Sequence, residues 1–491
     1  MRWMSMLAAC AVWGAVPGGC KNPEQDDSGG CTLYGCAIEQ CASRGGPGGT
    51  CSAAGICVCS GAVTGTCDDT VCATACHSYL SARGGSCSGS TSCECTGVPD
   101  GGADDAGDVP PGSYGSIHGT VMSPGAVFPI SGALVYLQRT TTTVSPLPEG
   151  NQCLRCVDVS VLPNALSAAN GTFRIEHVAL GDWWLVVQKG LFRRVRQITL
   201  HNHLEDLGVP QDLTTFPDVH DPANGDSIPH IAVALGVYDH PEDLLAKVSL
   251  ADLLPDNRAS LATAQFDLYD NGGGGSTPFA NLLNDRSRMN QYQLIFVPCS
   301  DGTNDALMTD PTVQANVRGW VYDGGKWFVT DRSYGWVEFM FPEAMDMQGD
   351  DTRVRDADRC CMYDATGAVH QPDLAAWLSA LGTDPTNITF RELEDNICGV
   401  GTIMGTDEDT GLPVPVPVTI LADGPQVDHA CGGGNLPYTV MFPYHCGRVL
   451  YSTYHTVGFA GGPHPGLEAQ ELMLLYMAME IGICDDEPII W

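Results

Sequence analysis

Three polar residues have the types and placement for nucleophilic hydrolysis. Ser333 offers a hydroxyl, Asp331 a carboxylate two residues before it, and His455 an imidazole far downstream. If they converge within hydrogen-bond reach, the imidazole can take the serine proton while the carboxylate serves as the third polar group. Asp331-Arg332-Ser333-Tyr334-Gly335 keeps half of the G-x-S-x-G elbow, because the residue two before Ser333 is Asp331 and not glycine. The reading carried forward is the plainer one, in which strand-end polar groups cap helices and hold a ligand or partner without turnover. A hydrolase using Ser333 and His455 is the alternative.

The elements that must position this turn are legible around it. Asp323-Gly324-Gly325 reads as a helix end, since glycine supplies the positive φ that a helix C-terminus needs. Lys326 to Thr330 (KWFVT) is short, β-branched and aromatic, as a strand covered on both faces tends to be. From residue 228 onward the two kinds of signal alternate. Strands are predicted at 231–237, 265–269, 292–298 and 448–454, and helices at 240–248, 278–283, 312–321, 373–381 and 468–481. The alternation predicts a three-layer α/β domain over 228–484 with a mainly parallel sheet. In such sheets ligands sit outside the carboxyl ends of the strands, where Asp331 to Ser333 fall. Gly272 to Gly275 lacks the spacing of a nucleotide-binding loop, and no cofactor or metal is expected.

Within this domain YQLIFVPCSD, VYDGGKWFVTDRSYG, GRVLYSTYHT and LLYMAMEI follow in an order that resembles the class I glutamine amidotransferase-like superfamily. The resemblance implies a Cys nucleophile at a strand–helix turn and a late His followed two residues on by Glu. His455 stands where that His would be, but the turn after KWFVTD has no Cys and position 457 is Val. The resemblance therefore implies a catalytically degenerate head. Cys299 follows a different strand and is expected in a disulfide. The pairing of Cys299, Cys360, Cys361, Cys398, Cys431, Cys446 and Cys484 is not legible, and their odd number leaves one free, intermolecular or paired outside the head.

Upstream, short alternating strands are predicted at 116–122, 133–138, 171–175, 183–188 and 195–200. GTV, GALVYL, NGTFRI and LGDWWLVV in this order resemble the carboxypeptidase regulatory-like domain. That implies a small transthyretin-like β-sandwich over 114–212, without catalysis. Cys153-Leu154-Arg155-Cys156 lies in an insertion; a redox pair or half a zinc site is possible chemistry, and a local Cys153–Cys156 disulfide is the expectation.

Cysteines dominate the first hundred residues. Cys31, Cys36, Cys51, Cys57 and Cys59 recur 36 residues later as Cys67, Cys72, Cys87, Cys93 and Cys95, with Cys41 and Cys76 off by one. Modules of about thirty residues bury too little apolar surface to fold alone, so disulfides must close them. Cys72 and Cys76 share a helix face, and Cys93 and Cys95 share a strand face. CATACHSYLSARGGSCSGSTSCEC resembles the cysteine-stabilised αβ fold of arthropod-type defensins, and the likeness covers modules at 31–59 and 67–95. It implies the pairs Cys31–Cys51, Cys36–Cys57 and Cys41–Cys59, then Cys67–Cys87, Cys72–Cys93 and Cys76–Cys95. The first module departs, because Cys36 and Cys41 are roughly 140° apart on an ideal helix. Arg44 and Arg83 against Glu39, Asp68, Asp69 and Glu94 give the stretch a net charge of 2 − 4 = −2. Such a balance does not draw it to anionic lipid, so a stalk or protein-binding role is expected ahead of a defence or toxin role.

The ends and the charge set the compartment. Arg2, the apolar run Leu7 to Val16 and the small residues before Cys20 predict an exported chain. Val16-Pro17-Gly18-Gly19-Cys20 resembles a bacterial lipoprotein signal, which implies a signal peptide at 1–20, lipidation of Cys20 and a tether at 21–30. Residues 96–113 form an acidic Gly/Pro linker. A formal charge of −35 repels phosphate backbones, so nucleic acid is excluded as a partner. The expected partner is an extracellular protein or envelope component, with membrane contact only through the lipid anchor. The whole layout resembles multidomain outer-surface lipoproteins of myxobacterium-like bacteria.

Overall fold

The computed structural model describes residues 49–51, 57–59, 84–87, 93–96, 113–144, 147–153, 157–349, 363–406, 413–426, 431–456 and 462–480. The chain divides into two units, Met1–Val98 and Pro99–Trp491. In the first, Gly49–Cys51 pairs antiparallel with Cys57–Cys59, and Gly84–Cys87 with Cys93–Thr96. Cys51 faces Cys57 and Gly49 faces Cys59, while Cys87 faces Cys93 and Gly85 faces Cys95. The repeat of 36 residues is thus a repeat of strand register. The expected pairings of Cys31, Cys36, Cys41, Cys67, Cys72 and Cys76, and the lipidation of Cys20, fall outside the described residues.

In the second unit two sheets precede the head. One holds Asp226–Ser227, Phe192–Leu200, Gly181–Lys189, Leu134–Gln138 and Asn164–Leu166 in that order, and the other Asp206–Gly208, Tyr114–Thr120 and Thr172–Ala179. Alternating residues such as Phe173 and Ile175 turn inward. The core these sheets make runs without a break into that of the head. Phe128 meets Trp377 edge to face, and the Trp377 indole donates to the Pro129 carbonyl at 2.7 Å.

The head is built on one nine-stranded sheet. Its order is Asp267–Asp270, Ile231–Leu235, Leu294–Val297, Lys326–Thr330, Gly447–Ser452, Asn435–Tyr444, Thr419–Pro425, Tyr363–Val369 and Ile388–Leu393. The first five run parallel and the remaining four join antiparallel, so a mixed sheet replaces the mainly parallel one expected. The parallel half is buried on both sides. Val233, Leu235, Phe296 and Phe328 join one core with Leu244, Trp377 and Met473, while Ala234, Val297, Trp327 and Val329 join another with Phe279, Trp320 and Trp336. Period-two alternation into two apolar environments is why these strands read as continuous hydrophobic runs.

Two disulfides lie among the described residues. Cys398 pairs with Cys431. Cys153 pairs with Cys446 across 293 residues, which corrects the local Cys153–Cys156 bridge. The reason is docking of the insertion on the head: Asn151 Nδ2 donates to the Trp320 carbonyl at 2.7 Å, and Gln293 Nε2 to the Pro148 carbonyl at 3.2 Å. These bonds bring Cys153 beside the turn at His445-Cys446, with 5.1 Å between the two Cα atoms. Cys156 is outside the described residues. Cys299 is free and buried, which corrects its expected disulfide. Its thiol sits at a strand exit among Asp331, Asp239 and the Arg332 amide, groups that do not form a disulfide.

Candidate functional site

The strand Lys326–Thr330 ends at Asp331, and the chain turns through 331–333 into the short helix Gly335–Glu338. Asp331 takes φ 46°, a left-handed conformation rarely used by a residue with a β-carbon. The strain therefore sits at the position that a strand–helix elbow reserves for its most exposed side chain. Here the side chain is 1% exposed, and among the described residues its carboxylate meets only the weak thiol donor of Cys299 and the imidazole of His455. The Tyr451 hydroxyl holds the turn by donating to the Asp331 carbonyl at 2.9 Å.

His455 arrives from the neighbouring strand Gly447–Ser452. Its Nε2 lies 3.9 Å from Asp331 Oδ2 and its Nδ1 3.6 Å from Glu392 Oε2. Nδ1 also donates to the Thr456 carbonyl at 2.7 Å, which assigns its proton, since a carbonyl only accepts. Gln470 Nε2 donates to the His455 carbonyl and fixes the main chain from the Ala469–Glu480 helix. Asp239, at the exit of the Ile231–Leu235 strand, accepts from the Thr456 amide at 2.9 Å and from the Thr330 hydroxyl.

The structure thus brings Asp331 and His455 together and sends Ser333 elsewhere. Ser333 is fully buried, and its hydroxyl donates to the Pro298 carbonyl at 2.7 Å. That proton is committed to the backbone of the next strand exit. Burial raises the Asp331 carboxyl to about 8; the charges of Asp395 and Glu394 add to this, and His455 and the Cys299 thiol only partly offset it. Burial acts against the His455 charge, but Asp239, Asp331, the Thr456 carbonyl and Glu392 outweigh it and raise the imidazole. The Cys299 thiol is pushed well up by burial and by Asp331 and Asp239, so it is not a thiolate nucleophile.

A polar cleft opens beside this cluster, reached through Thr456. Tyr238, His240, Arg258 and His464 stand around it, and Asp243, Lys247 and Glu471 complete its walls. Arg258 Nη1 bonds Asp243 Oδ2 at 2.9 Å, and Lys247 Nζ bonds Glu471 Oε1 at 3.0 Å. Burial opposes charge on His240, yet Glu242 at 2.9 Å raises it; Glu242 itself is raised by burial. These residues are absent from the sequence reading, because they come from three separated segments without a local motif. The one signal was Pro241, which with His240 before it marks a helix start.

No protein-family model matches the chain, and no curated protein matches it. Among solved structures, a cytoplasmic protein from Salmonella typhimurium aligns at 12% identity over 51% of this chain and 99% of that one, with a TM-score of 0.27. A β-galactosidase from G. stearothermophilus aligns at 11% identity over 52% of this chain and 30% of that one, with a TM-score of 0.23. Catechol 1,2-dioxygenase from Acinetobacter aligns at 10% identity over 25% of this chain and 59% of that one, with a TM-score of 0.17. Likenesses of this size carry no argument about activity.

Proposed function

We propose that this chain is an exported, surface-anchored lipoprotein whose head binds or scaffolds an extracellular protein or envelope component. Cys20 carries the anchor, the two cysteine-rich modules form a defensin-like stalk, and the sandwich is transthyretin-like. The head is a catalytically degenerate, amidotransferase-like α/β domain. The observation that carries this reading is the commitment of the Ser333 hydroxyl to the Pro298 carbonyl in a fully buried position, while the accessible polar groups lie in the adjacent cleft. Ion-paired walls with imidazole, hydroxyl and guanidinium groups suit a polar surface that is bound and released, not covalently attacked.

Arg258 is the cleft cation most open to solvent, and charge reversal there would repel an acidic or carbonyl-rich ligand. The full chain should be retained on isolated bacterial outer membrane and murein, and Arg258→Glu should weaken retention at least tenfold. Equal retention of both proteins, or none of either, would remove the cleft from the account. Mass spectrometry of the mature protein should find a diacylglyceryl cysteine at position 20. An unmodified N-terminus beginning elsewhere would refute the anchor.

A further inference from the structure

The hairpin between Asn435–Tyr444 and Gly447–Ser452 turns on two residues, His445 and Cys446. Two-residue hairpin turns favour glycine, asparagine and aspartate, because the chain passes through positive φ there. His445 takes that conformation, at φ 55°, with a full side chain. Backbone strain held in place by its surroundings points to a use for the side chain. What holds it is the end of the helix Pro311–Tyr322. The His445 ring stacks on Tyr322 at 3.8 Å, its Nδ1 donates to the Tyr322 carbonyl at 2.8 Å, and the Cys446 amide donates to the same carbonyl at 3.3 Å. A carbonyl only accepts, so Nδ1 carries a proton.

That proton stands beside the Cys153–Cys446 disulfide. Nδ1 is 3.9 Å from Cys153 Sγ, and an imidazole nitrogen and both sulfurs lie within 4.8 Å of one another. Both cysteines are exposed, whereas the bridged Cys398 and Cys431 are half-buried. Exposed disulfides are the labile ones, since exchange needs access for an attacking thiolate and is faster when the leaving thiolate is stabilised. The bridge does not seat the insertion alone. The Asn151 amide donates to the Asn290 carbonyl at 2.8 Å, its side chain to the Trp320 carbonyl, and Gln293 to the Pro148 and Gly150 carbonyls. With the bridge open, these bonds keep Cys153 near Cys446.

We propose that Cys153–Cys446 is a thiol–disulfide exchange site that takes an external aliphatic thiol as a mixed disulfide on Cys446. The incoming thiol gives its proton to solvent and attacks Cys446 Sγ as a thiolate. A new S–S bond forms as the Cys153–Cys446 bond breaks, and its electron pair leaves on Cys153 Sγ. The His445 Nδ1–H stabilises that sulfur until it takes a proton from solvent. One thiol is consumed and one appears, so no oxidant enters. The docked Cys153 then attacks the mixed disulfide, expels the guest thiol and closes the bridge again. The direction follows from the imidazole, because Cys153 carries the sulfur that Nδ1 meets at 3.9 Å.

The half-buried Cys398–Cys431 bridge is the internal control. The intact protein is incubated with free cysteine, quenched with N-ethylmaleimide at intervals and peptide-mapped without reduction. The expected product carries cysteine on Cys446 and maleimide on Cys153, and it forms while Cys398–Cys431 is still closed. His445→Gly keeps the positive φ of the turn and removes the imidazole. It should exchange about tenfold more slowly, the worth of one hydrogen bond to a charged group, and divide the adduct between the two sulfurs. The wild-type map alone decides the matter if that variant does not fold. Earlier opening of Cys398–Cys431, or cysteine on Cys153 and not on Cys446, would overturn the proposal. So would an unchanged rate and position in a folded His445→Gly.

Discussion

Asp331 Oδ2 and His455 Nε2 stand 3.9 Å apart at the exits of two neighbouring parallel strands, and neither residue is more than 2% exposed. The separation is within ion-pair range and beyond a hydrogen bond. The two groups share an environment that penalises charge, which gives the head a pH dependence with a definite sign. Asp331 is raised from 3.8 to about 8 by burial and neighbouring carboxylates, so between those values the folded chain holds a proton that the unfolded chain releases. Stability from this group is full below about pH 4 and is lost as pH rises towards 8. His455 is also raised, so its contribution is present below its ordinary value and is lost as pH rises through the folded one. Urea melts should show stability falling from pH 5 to pH 8, and Asp331→Asn should flatten the slope. An unchanged slope in the variant would contradict the assignment.

Ser333→Ala tests a structural hydroxyl. It removes one buried neutral hydrogen bond, that to the Pro298 carbonyl, and should cost about 1 kcal/mol in chemical denaturation. Retention on envelope material should not change.

Gly325→Ala tests the turn that delivers the central strand. A β-carbon there would lie 2.4 Å from the Trp320 indole, a rigid neighbour that is fully buried. Overpacking of this kind costs about 1–3 kcal/mol, so the midpoint of urea unfolding should fall clearly below that of wild type. Gly324 should resist alanine for two reasons, its φ of 123° and a β-carbon that would lie 2.5 Å from the Gln152 carbonyl oxygen.

Trp377→Ala tests the continuity of the sandwich with the head. The side chain loses its contact with Phe128 and its bond to the Pro129 carbonyl, and a buried indole is worth about 3–5 kcal/mol. The sandwich strands and the head strands should still unfold in one transition, because their cores are continuous. Two separated transitions in the wild type would contradict that.

The cysteine-rich modules should behave otherwise. Mild reductant is expected to unfold 31–95 while the Lys326–Thr330 strand persists, since the three cross-links proposed for each module would replace a core the module is too small to build. Hydrogen exchange under stepwise reduction reads both regions. Simultaneous loss would sink their independence.

The parallel half of the head was legible because its signals are local. Lys326–Thr330 forms over the residues that the apolar run predicts, and the helix before it, Pro311–Tyr322, ends at the Asp-Gly-Gly turn. The antiparallel half was not. Asn435–Tyr444 carries Pro437 and Pro443, and Thr419–Pro425 ends on proline, residues that argue against a strand interior when read locally. In the fold these strands are largely buried against a sheet already present, with only their end residues exposed, which no single segment reveals. At the site, the nearness of Asp331 to His455 followed from both lying at strand exits. The orientation of Ser333 did not, because it depends on where the Pro298 carbonyl lies. The Cys153–Cys446 bridge was hidden by a Cys-x-x-Cys spacing that invites a local pair.

Whether Ser333 can act as a nucleophile decides between a binding head and a hydrolase, and one labelling experiment reads it directly. The intact protein is incubated with a fluorophosphonate probe and peptide-mapped around residue 333. The binding account predicts no adduct on Ser333, because its hydroxyl is buried and donates to the Pro298 carbonyl. An adduct on Ser333 that disappears in His455→Ala would contradict it.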